Sequence, residues 1–425
     1  PPAEIDSNAL IVGFDRRFLS REFSALVAER LRDAGYRVLL SDRPTPSQTI
    51  SFSARHRKVL GGIVVTASHN PAKYNGLKFK AWYAGSALPE TYTAIANAVG
   101  QRDTRDGGSI EEVNLIDDYL TAVRAQLDLN LLRSAKLSIL HDALHGVSAS
   151  LPAEILGMPV GTIRGESNPS FGGVNPEPIP ENLGAAQKSM KSGKYDLAIC
   201  NDGDADRLGI LDERGEFVSP HKIIALLALY LVREKKRSGD IVKTFSTTRL
   251  IEKVATTLGA TLHETPIGFK YVADLMLVKD VLVGGEESGG IGFGAFMPER
   301  DGILSGLLVA EAVAFYGKPL SQIIAAMEAE FGTLFYDRRD LNRPMPQCAR
   351  LIDRVKSGEL DTAFGLTFAK REETDGVKIN FTDGSWILFR KSGTEPIIRI
   401  YCESTTSEQV GTMLDVAVRE LDRNE

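Results

Sequence analysis

Cysteine is scarce in this chain: Cys200, Cys348 and Cys402 are the only three in 425 residues. Their spacing fits no zinc pattern and excludes a disulfide scaffold, so a reducing, cytoplasmic setting is expected. Long apolar runs are missing too. No stretch of about 18 apolar residues occurs, so no membrane span is expected, and nothing reads as a signal peptide. Excess positive charge is absent, and the net charge of −6 argues against a nucleic-acid surface. Any anionic ligand must then be held by local cations. Low-complexity segments and short-period repeats are absent. The chain opens on Pro-Pro-Ala-Glu without a methionine, from which a missing native start is expected.

The composition that remains is that of an ordinary globular protein, 43% hydrophobic and 25% charged. At 425 residues the chain exceeds what one core supports, and two to four domains are expected. Strand and helix signals alternate, which implies α/β units with mostly parallel sheets. Residues 9–13 read as a strand. Residues 20–35 read as an amphipathic helix with Phe23, Leu26, Val27 and Leu31 on its apolar face. Further strands are expected at 38–40 and 63–65.

The pattern restarts at residue 137, after a polar helix around 117–126. A loop rich in Pro, Gly and Asn spans 168–182, a strand covers 196–199, and a helix over 221–233 closes that unit. The run Lys235-Lys236-Arg237-Ser238-Gly239 reads as a linker. A third unit holds the strand 281–283 and a helix over 302–316. The last unit starts near 333 and ends in a helix opened by the capping box Thr405-x-x-Glu408, with Val410, Met413, Leu414, Ala417 and Leu421 as its apolar face. The expected domains are therefore 1–134, 135–238, 239–332 and 333–425: three units of strand, polar loop and helix, then a different fourth.

Four loops carry candidate chemistry. The strand 61–65 delivers Thr66-Ala67-Ser68-His69-Asn70-Pro71 to what would be the ligand-binding edge of an open α/β sheet. No Gly-x-Ser-x-Gly elbow surrounds Ser68, so hydrolase chemistry is not indicated. A phosphoryl group on Ser68 would need a cation, His69 could hydrogen-bond to it, and Lys78 could serve as proton carrier or fixed charge. The second loop is Asp202-Gly203-Asp204-Ala205-Asp206-Arg207. Three acids spaced by two can aim hard oxygen ligands at one Mg²⁺. An EF-hand is excluded, because Arg207 stands where that loop needs glycine and a strand, not a helix, precedes it. The third loop, residues 284–290, offers Glu286 and Ser288 between flanking glycines and suits sugar hydroxyls. The fourth, Ser392-Gly393-Thr394 between two strands with Arg390 and Arg399 beside it, suits a phosphate monoester. Together the loops suggest metal-assisted phosphoryl chemistry.

The motifs TASHNP, DGDADR, GEESGG and RKSGTEP, in this order across nearly the whole chain, resemble the α-D-phosphohexomutase superfamily. The resemblance implies a heart-shaped enzyme of four domains, three mixed α/β and one C-terminal α+β domain, each giving one loop to a central cleft. It implies that Ser68 is the phosphoserine, and that Asp202, Asp204 and Asp206 hold Mg²⁺ together with an oxygen of the phosphorylated Ser68. It also makes Lys78 the general acid/base and sets Arg207 beside the phosphoryl group. Glu286 and Ser288 would bind sugar hydroxyls, Arg390, Ser392, Gly393 and Thr394 the non-reacting phosphate, and Lys243 and Lys270 would be cleft lysines. Glucose 1,6-bisphosphate would be the intermediate and activator, a hexose phosphate the partner, and the enzyme a monomer or dimer.

Within the superfamily, GEESGG and the segment 265–270 look most like phosphoglucomutases. Mannose or glucosamine phosphates, a catalytically silent sugar-phosphate binder and a Mg²⁺-dependent phosphatase are the alternatives. Family members open with a strand and an Arg-bearing loop. The first strand visible here corresponds to the family's second, so that opening segment is expected to be missing.

Overall fold

The computed structural model describes residues 2–101, 104–391 and 396–423. Four sheets follow one another along the chain. In the first, strands Asp6–Phe14, Arg37–Ser41, Val59–Val65 and Ser109–Val113 run parallel, and Leu77–Ala81 joins the edge antiparallel to Val59–Val65. In the second, Ile139–Asp142, Gly161–Ile163 and Leu197–Asn201 are parallel, while Leu208–Leu211 and Phe217–Val218 return antiparallel. In the third, Asp240–Thr244, Leu262–Thr265 and Val281–Gly285 are parallel and Ile291–Gly292 is antiparallel. The fourth sheet is wholly antiparallel.

The central strands are continuous apolar runs because helices cover both faces of a parallel sheet. Ile199, Val64 and Val283 are fully buried. The three α/β units share more than the predicted alternation. In each, a central strand ends in a polar loop, and the chain returns as an antiparallel strand before any helix. Val65 pairs with Leu77, Asn201 with Leu208, and Gly285 with Ile291. The sequence pattern of strand, loop and helix missed this return, because strands of two to five residues carry too little periodicity.

Three further expectations need correction. The helix Ser20–Asp33 buries Ser20, Ser24 and Ala28, whereas Phe23 and Leu26 are 42% and 48% exposed. Small residues let that helix approach the sheet closely, and this outweighs the apolar stripe. The helix Pro220–Arg233 packs on the third unit, against helix Leu250–Leu258 and strand Val281–Gly285, and so does not close the second. The last helix, Ser407–Asp422, is capped one residue later than expected: Thr406 accepts from Gln409 N at 3.2 Å. Its predicted apolar face is buried as expected.

A single apolar core runs through all three α/β units, from Phe52 and Tyr119 through Ile199 and Leu227 to Leu307 and Met327. The fourth unit has its own core, where helices Met345–Ser357 and Ser407–Asp422 cover one face of the sheet. Its other face meets the third unit at Phe245, Trp386, Leu388 and Tyr401. Among the described residues no single helix is long and apolar enough to cross a membrane.

The close helix–sheet contact makes a testable distinction. Ala28→Leu is expected to destabilise by about 1–3 kcal/mol through overpacking, whereas Leu26→Ser on the exposed face should change stability by less than about 0.5 kcal/mol. Thermal unfolding of the two variants checks the order; an equal effect would contradict the assigned face.

Candidate active site

The returning strands bring the loops of the first three units together. Ser68 follows the strand Val59–Val65 and adopts φ 52°, a left-handed conformation that costs a non-glycine residue about 1 kcal/mol or more. Arg17 holds it there. Its Nη2 donates to the carbonyls of Ser68 and Asn70 at 2.6 Å, and its Nη1 to those of Pro71 and Tyr74 at 3.0 and 3.1 Å. Asp15 anchors Arg17 at 3.2 Å and accepts from Thr66 Oγ1 at 2.7 Å, while Thr66 Oγ1 accepts from Ser68 N at 2.9 Å. The serine hydroxyl itself donates to Asp202 Oδ2 at 2.8 Å, across 134 residues of chain.

Asp202, Asp204 and Asp206 have no exposed surface. One oxygen from each lies within 4.8 Å of the others. Lys78, brought in by the return strand Leu77–Ala81, donates to Asp204 Oδ2 at 2.7 Å and Asp206 Oδ2 at 3.1 Å. Ser47 Oγ also donates to Asp204 Oδ2, and Arg300 Nη2 to Asp206 Oδ2 at 2.7 Å. The loop carries its own left-handed residue, Ala205, at φ 64°. Gln48 Nε2 donates to the Ala205 carbonyl at 2.8 Å.

The buried Oδ1 atoms of Asp204 and Asp206 have no partner among the described residues. Orphaned hard oxygens beside a third carboxylate fit a Mg²⁺ ion, which the three aspartates would hold. Burial and the neighbouring carboxylates push Asp202 well above the usual carboxylate range. Burial acts the same way on Asp206, but Arg300, Lys78 and Arg207 outweigh it and hold that group down.

Burial pulls the Lys78 ammonium down as well, and Asp204 and Asp206 more than compensate, so its pKa is raised. In this arrangement the two carboxylates favour the ammonium form of Lys78. His69 is half-buried, with an unpartnered Nδ1. Burial and the Arg207 charge lower its pKa to about 3, so the ring is neutral at neutral pH. Arg207 donates its backbone N–H to Asp202 Oδ1 at 3.0 Å and its Nη1 to Glu177 Oε1 at 3.1 Å.

The third loop is tied to the second through the backbone. Leu208 N donates to Gly289 O at 3.0 Å, and Arg207 bridges Gly290. Gly289 has φ 87°, and a Cβ there would lie 2.3 Å from the Leu208 carbonyl oxygen, so only glycine fits. Glu286 is 5% exposed. Burial raises its pKa to about 7, with Glu287 and Asp206 adding and Arg300 opposing. Ser288 is half-buried in the same turn.

Lys270 is exposed in the first turn of helix Phe269–Val278. It lines a hollow of about 490 Å³ with Tyr92, Phe269, Glu299 and Arg300. Arg390 lies near the end of the strand Trp386–Lys391 and donates to Asp375 Oδ1 at 2.9 Å. Ser392, Gly393 and Thr394 lie outside the described residues.

Lys243 departs from the expectation of a cleft lysine. It is 1% exposed and pairs with Glu252 at 2.6 Å and Glu264 at 2.8 Å. Glu264 is its register partner on the neighbouring strand, so strand geometry directs the ammonium into this pair. Sequence reasoning missed Arg17, Ser47, Glu177 and Arg300. Each stands in a loop, turn or helix start outside the four loop motifs.

Comparison with known proteins agrees with this geometry. Four phosphoglucomutase/phosphomannomutase domain families match in order: alpha/beta/alpha domain I over 3–106, domain II over 117–215, domain III over 219–331 and the C-terminal domain over 349–420. The chain is 31% identical to a phosphoglucomutase/phosphomannomutase of Thermococcus kodakarensis, covering 97% of this chain and 90% of that protein. It is 30% identical to the phosphoglucosamine mutase of Methanococcus vannielii, covering 93% and 87%. The structure of a candidate phosphomannomutase from Thermus thermophilus superposes with a TM-score of 0.87 at 36% identity, covering 98% of this chain and 91% of that one. Fold and loops define a phosphohexomutase, a class of intramolecular phosphotransferase isomerases. The chain belongs to the phosphoglucomutase/phosphomannomutase family of the α-D-phosphohexomutase superfamily.

The clamp on the serine loop is testable. Arg17→Met leaves Asp15 buried beside an apolar side chain, and is expected to lower stability by about 3 kcal/mol. Limited proteolysis should then cut within residues 66–74, a segment expected to resist cleavage in the wild type. Unchanged melting and cleavage patterns would show that Arg17 does not anchor this loop.

Proposed function

We propose that the protein interconverts the 1- and 6-phosphates of a hexose by two phosphoryl transfers through Ser68. The observation that carries this reading is the meeting of Ser68, the aspartate triad and Lys78 at one point, from loops 134 residues apart. In the first transfer, the free hydroxyl of a hexose monophosphate attacks the phosphorus of phospho-Ser68. The P–Oγ bond breaks, a new P–O bond forms to the sugar, and the proton of the attacking hydroxyl ends on the departing Ser68 Oγ. The bisphosphate then turns end for end. In the second transfer, Ser68 Oγ attacks the other phosphate, the P–O bond from that phosphorus to the sugar breaks, and the freed sugar oxygen takes up the proton that Ser68 gives up.

Such a transfer depends on positioning and on charge placed where the phosphoryl oxygens pass. Lys78 and Arg207 supply positive charge here. Mg²⁺ held by Asp202, Asp204 and Asp206 would neutralise charge on the transferring group. Glu286 and Ser288 receive sugar hydroxyls, with Lys270 at the same rim. Arg390, with Ser392, Gly393 and Thr394, holds the phosphate that does not react. Neutral His69, with its free Nδ1, serves as a hydrogen-bonding group and not as a cation.

The residues of the sugar loop alone favour glucose. The Methanococcus vannielii and Thermus thermophilus relatives are named for glucosamine and mannose phosphates, the Thermococcus kodakarensis relative for both glucose and mannose, and we adopt mannose or glucosamine phosphate as the preference. The decisive assay supplies glucose, mannose and glucosamine 1-phosphates in turn, with Mg²⁺ and a trace of the matching 1,6-bisphosphate. Mannose or glucosamine 1-phosphate is expected to turn over at least as fast as glucose 1-phosphate, with turnover abolished by Ser68→Ala and by chelation of the metal. Faster glucose turnover would restore the glucose assignment. No isomerisation of any of the three would overturn the function, and steady release of inorganic phosphate would replace it with a phosphatase.

A further inference from the structure

One half-buried cation at the cleft has no part in the chemistry above. Arg300 stands between the return strand Ile291–Gly292 and the helix Gly302–Tyr316, and its side chain is 18% exposed. Nη2 donates to Asp206 Oδ2 at 2.7 Å, on the aspartate loop. Nη1 lies 3.6 Å from Glu286 Oε2, on the sugar loop. The guanidinium sits 5.8 Å from the centre of the Phe269 ring. The neighbouring Glu299 carboxylate is held by Lys80 and Ser51 through Oε2 and accepts the Arg300 backbone N–H at 3.2 Å through Oε1, so its charge acts on the guanidinium only at longer range.

The space that Arg300 occupies belongs to a missing side chain. A Cβ on Gly290 would lie 2.4 Å from Arg300 Cδ and 2.9 Å from Glu286 Oε2. Glycine at 290 therefore opens the passage through which Arg300 reaches both loops. A planar guanidinium can address two carboxylates at once, whereas a lysine ammonium is a single point charge.

We propose that Arg300 is a positioning residue that joins the aspartate loop to the sugar loop and fixes the Glu286 carboxylate for the substrate hydroxyls, with Gly290 as its seat. The inference rests on the reading of Glu286 as a sugar contact. It predicts that Arg300 and Glu286 act as one unit. Removing either one loses the same substrate contact.

The test compares wild type, Arg300→Lys, Arg300→Met, Glu286→Gln, the double variant Arg300→Met/Glu286→Gln, and Gly290→Ala. Steady-state KM and kcat are measured on the best hexose 1-phosphate, together with thermal unfolding and calorimetric binding of the same sugar phosphate. Arg300→Met is expected to raise KM about tenfold, the loss of about 1.4 kcal/mol of binding. The double variant should be no worse than the poorer single variant. Arg300→Lys should melt close to wild type yet keep a raised KM, and Gly290→Ala should raise KM with Arg300 still present. These last two carry the test if Arg300→Met fails to fold.

Additive effects in the double variant, or an Arg300→Lys enzyme with wild-type KM, would overturn the inference and leave Arg300 a neutralising charge. Calorimetry keeps the two proposals separable. An inactive wild type defeats the function, whereas additive binding losses defeat the positioning role alone.

Discussion

Three carboxylates without exposed surface stand in one six-residue loop, and the cleft is organised around making that tolerable. Isolated buried charges cost several kcal/mol each unless paired and hydrogen-bonded. Here the compensation comes from far along the chain: Ser47, Ser68 and Lys78 from the first unit, Arg300 from the third. The aspartate loop cannot hold its shape until the first and third units have docked on the second. The continuous apolar core through those three units supplies the energy of that docking. Catalytic assembly and folding are therefore one event, and the candidate metal site exists only in the assembled chain.

The repeated strand, loop and antiparallel return explains how separate units can contribute to one point. A loop at the end of a parallel strand is fixed at its start. The return strand fixes its end and projects residues back over the same edge. Lys78 owes its place to such a return, and so does the backbone tie between Leu208 and Gly289. Two of the loops then store local strain, at Ser68 and Ala205. Both residues are held by bonds from other segments: Arg17 grips the Ser68 carbonyl and Gln48 the Ala205 carbonyl. Strain of this kind persists only where the surroundings over-determine it.

Much of this was legible in the residues. Ser68, the aspartates and Glu286 follow visible apolar strands, and each loop has a composition with few structural uses. The residues that could not be read are those whose meaning depends on packing. Phe23 and Leu26 look like a core face, yet the helix buries Ser20, Ser24 and Ala28, with Val27 and Leu31 partly buried alongside. Helix Pro220–Arg233 is buried at every position from 223 to 231, so no periodicity betrays which sheet it covers. Lys243 sits on a strand, where one step of register decides between cleft and interior, and Glu264 opposite claims it. Arg17 and Arg300 stand among other charged residues between regular elements, and only the folded chain shows what they grip.

The fourth unit meets the third through a layer in which polar and apolar contacts alternate. Lys378 lies 3.8 Å from the Phe245 ring centre and 3.7 Å from Glu264, which also pairs with Lys243. Burial and the Lys243 charge lower the Lys378 pKa to about 8. Closer to the cleft, Asp375 accepts from Arg390 with one oxygen and from Ile267 N with the other, at 3.0 Å. Ile267 belongs to the segment that leads into Lys270. One carboxylate thus ties the arginine assigned to the distant phosphate to the segment assigned to the sugar. A bisphosphate that turns end for end must find its phosphate grip and its sugar contacts at a constant separation in both orientations. The two hydrogen bonds to Asp375 act on that separation beside the apolar contacts of Phe245 with Trp386, Leu388 and Tyr401.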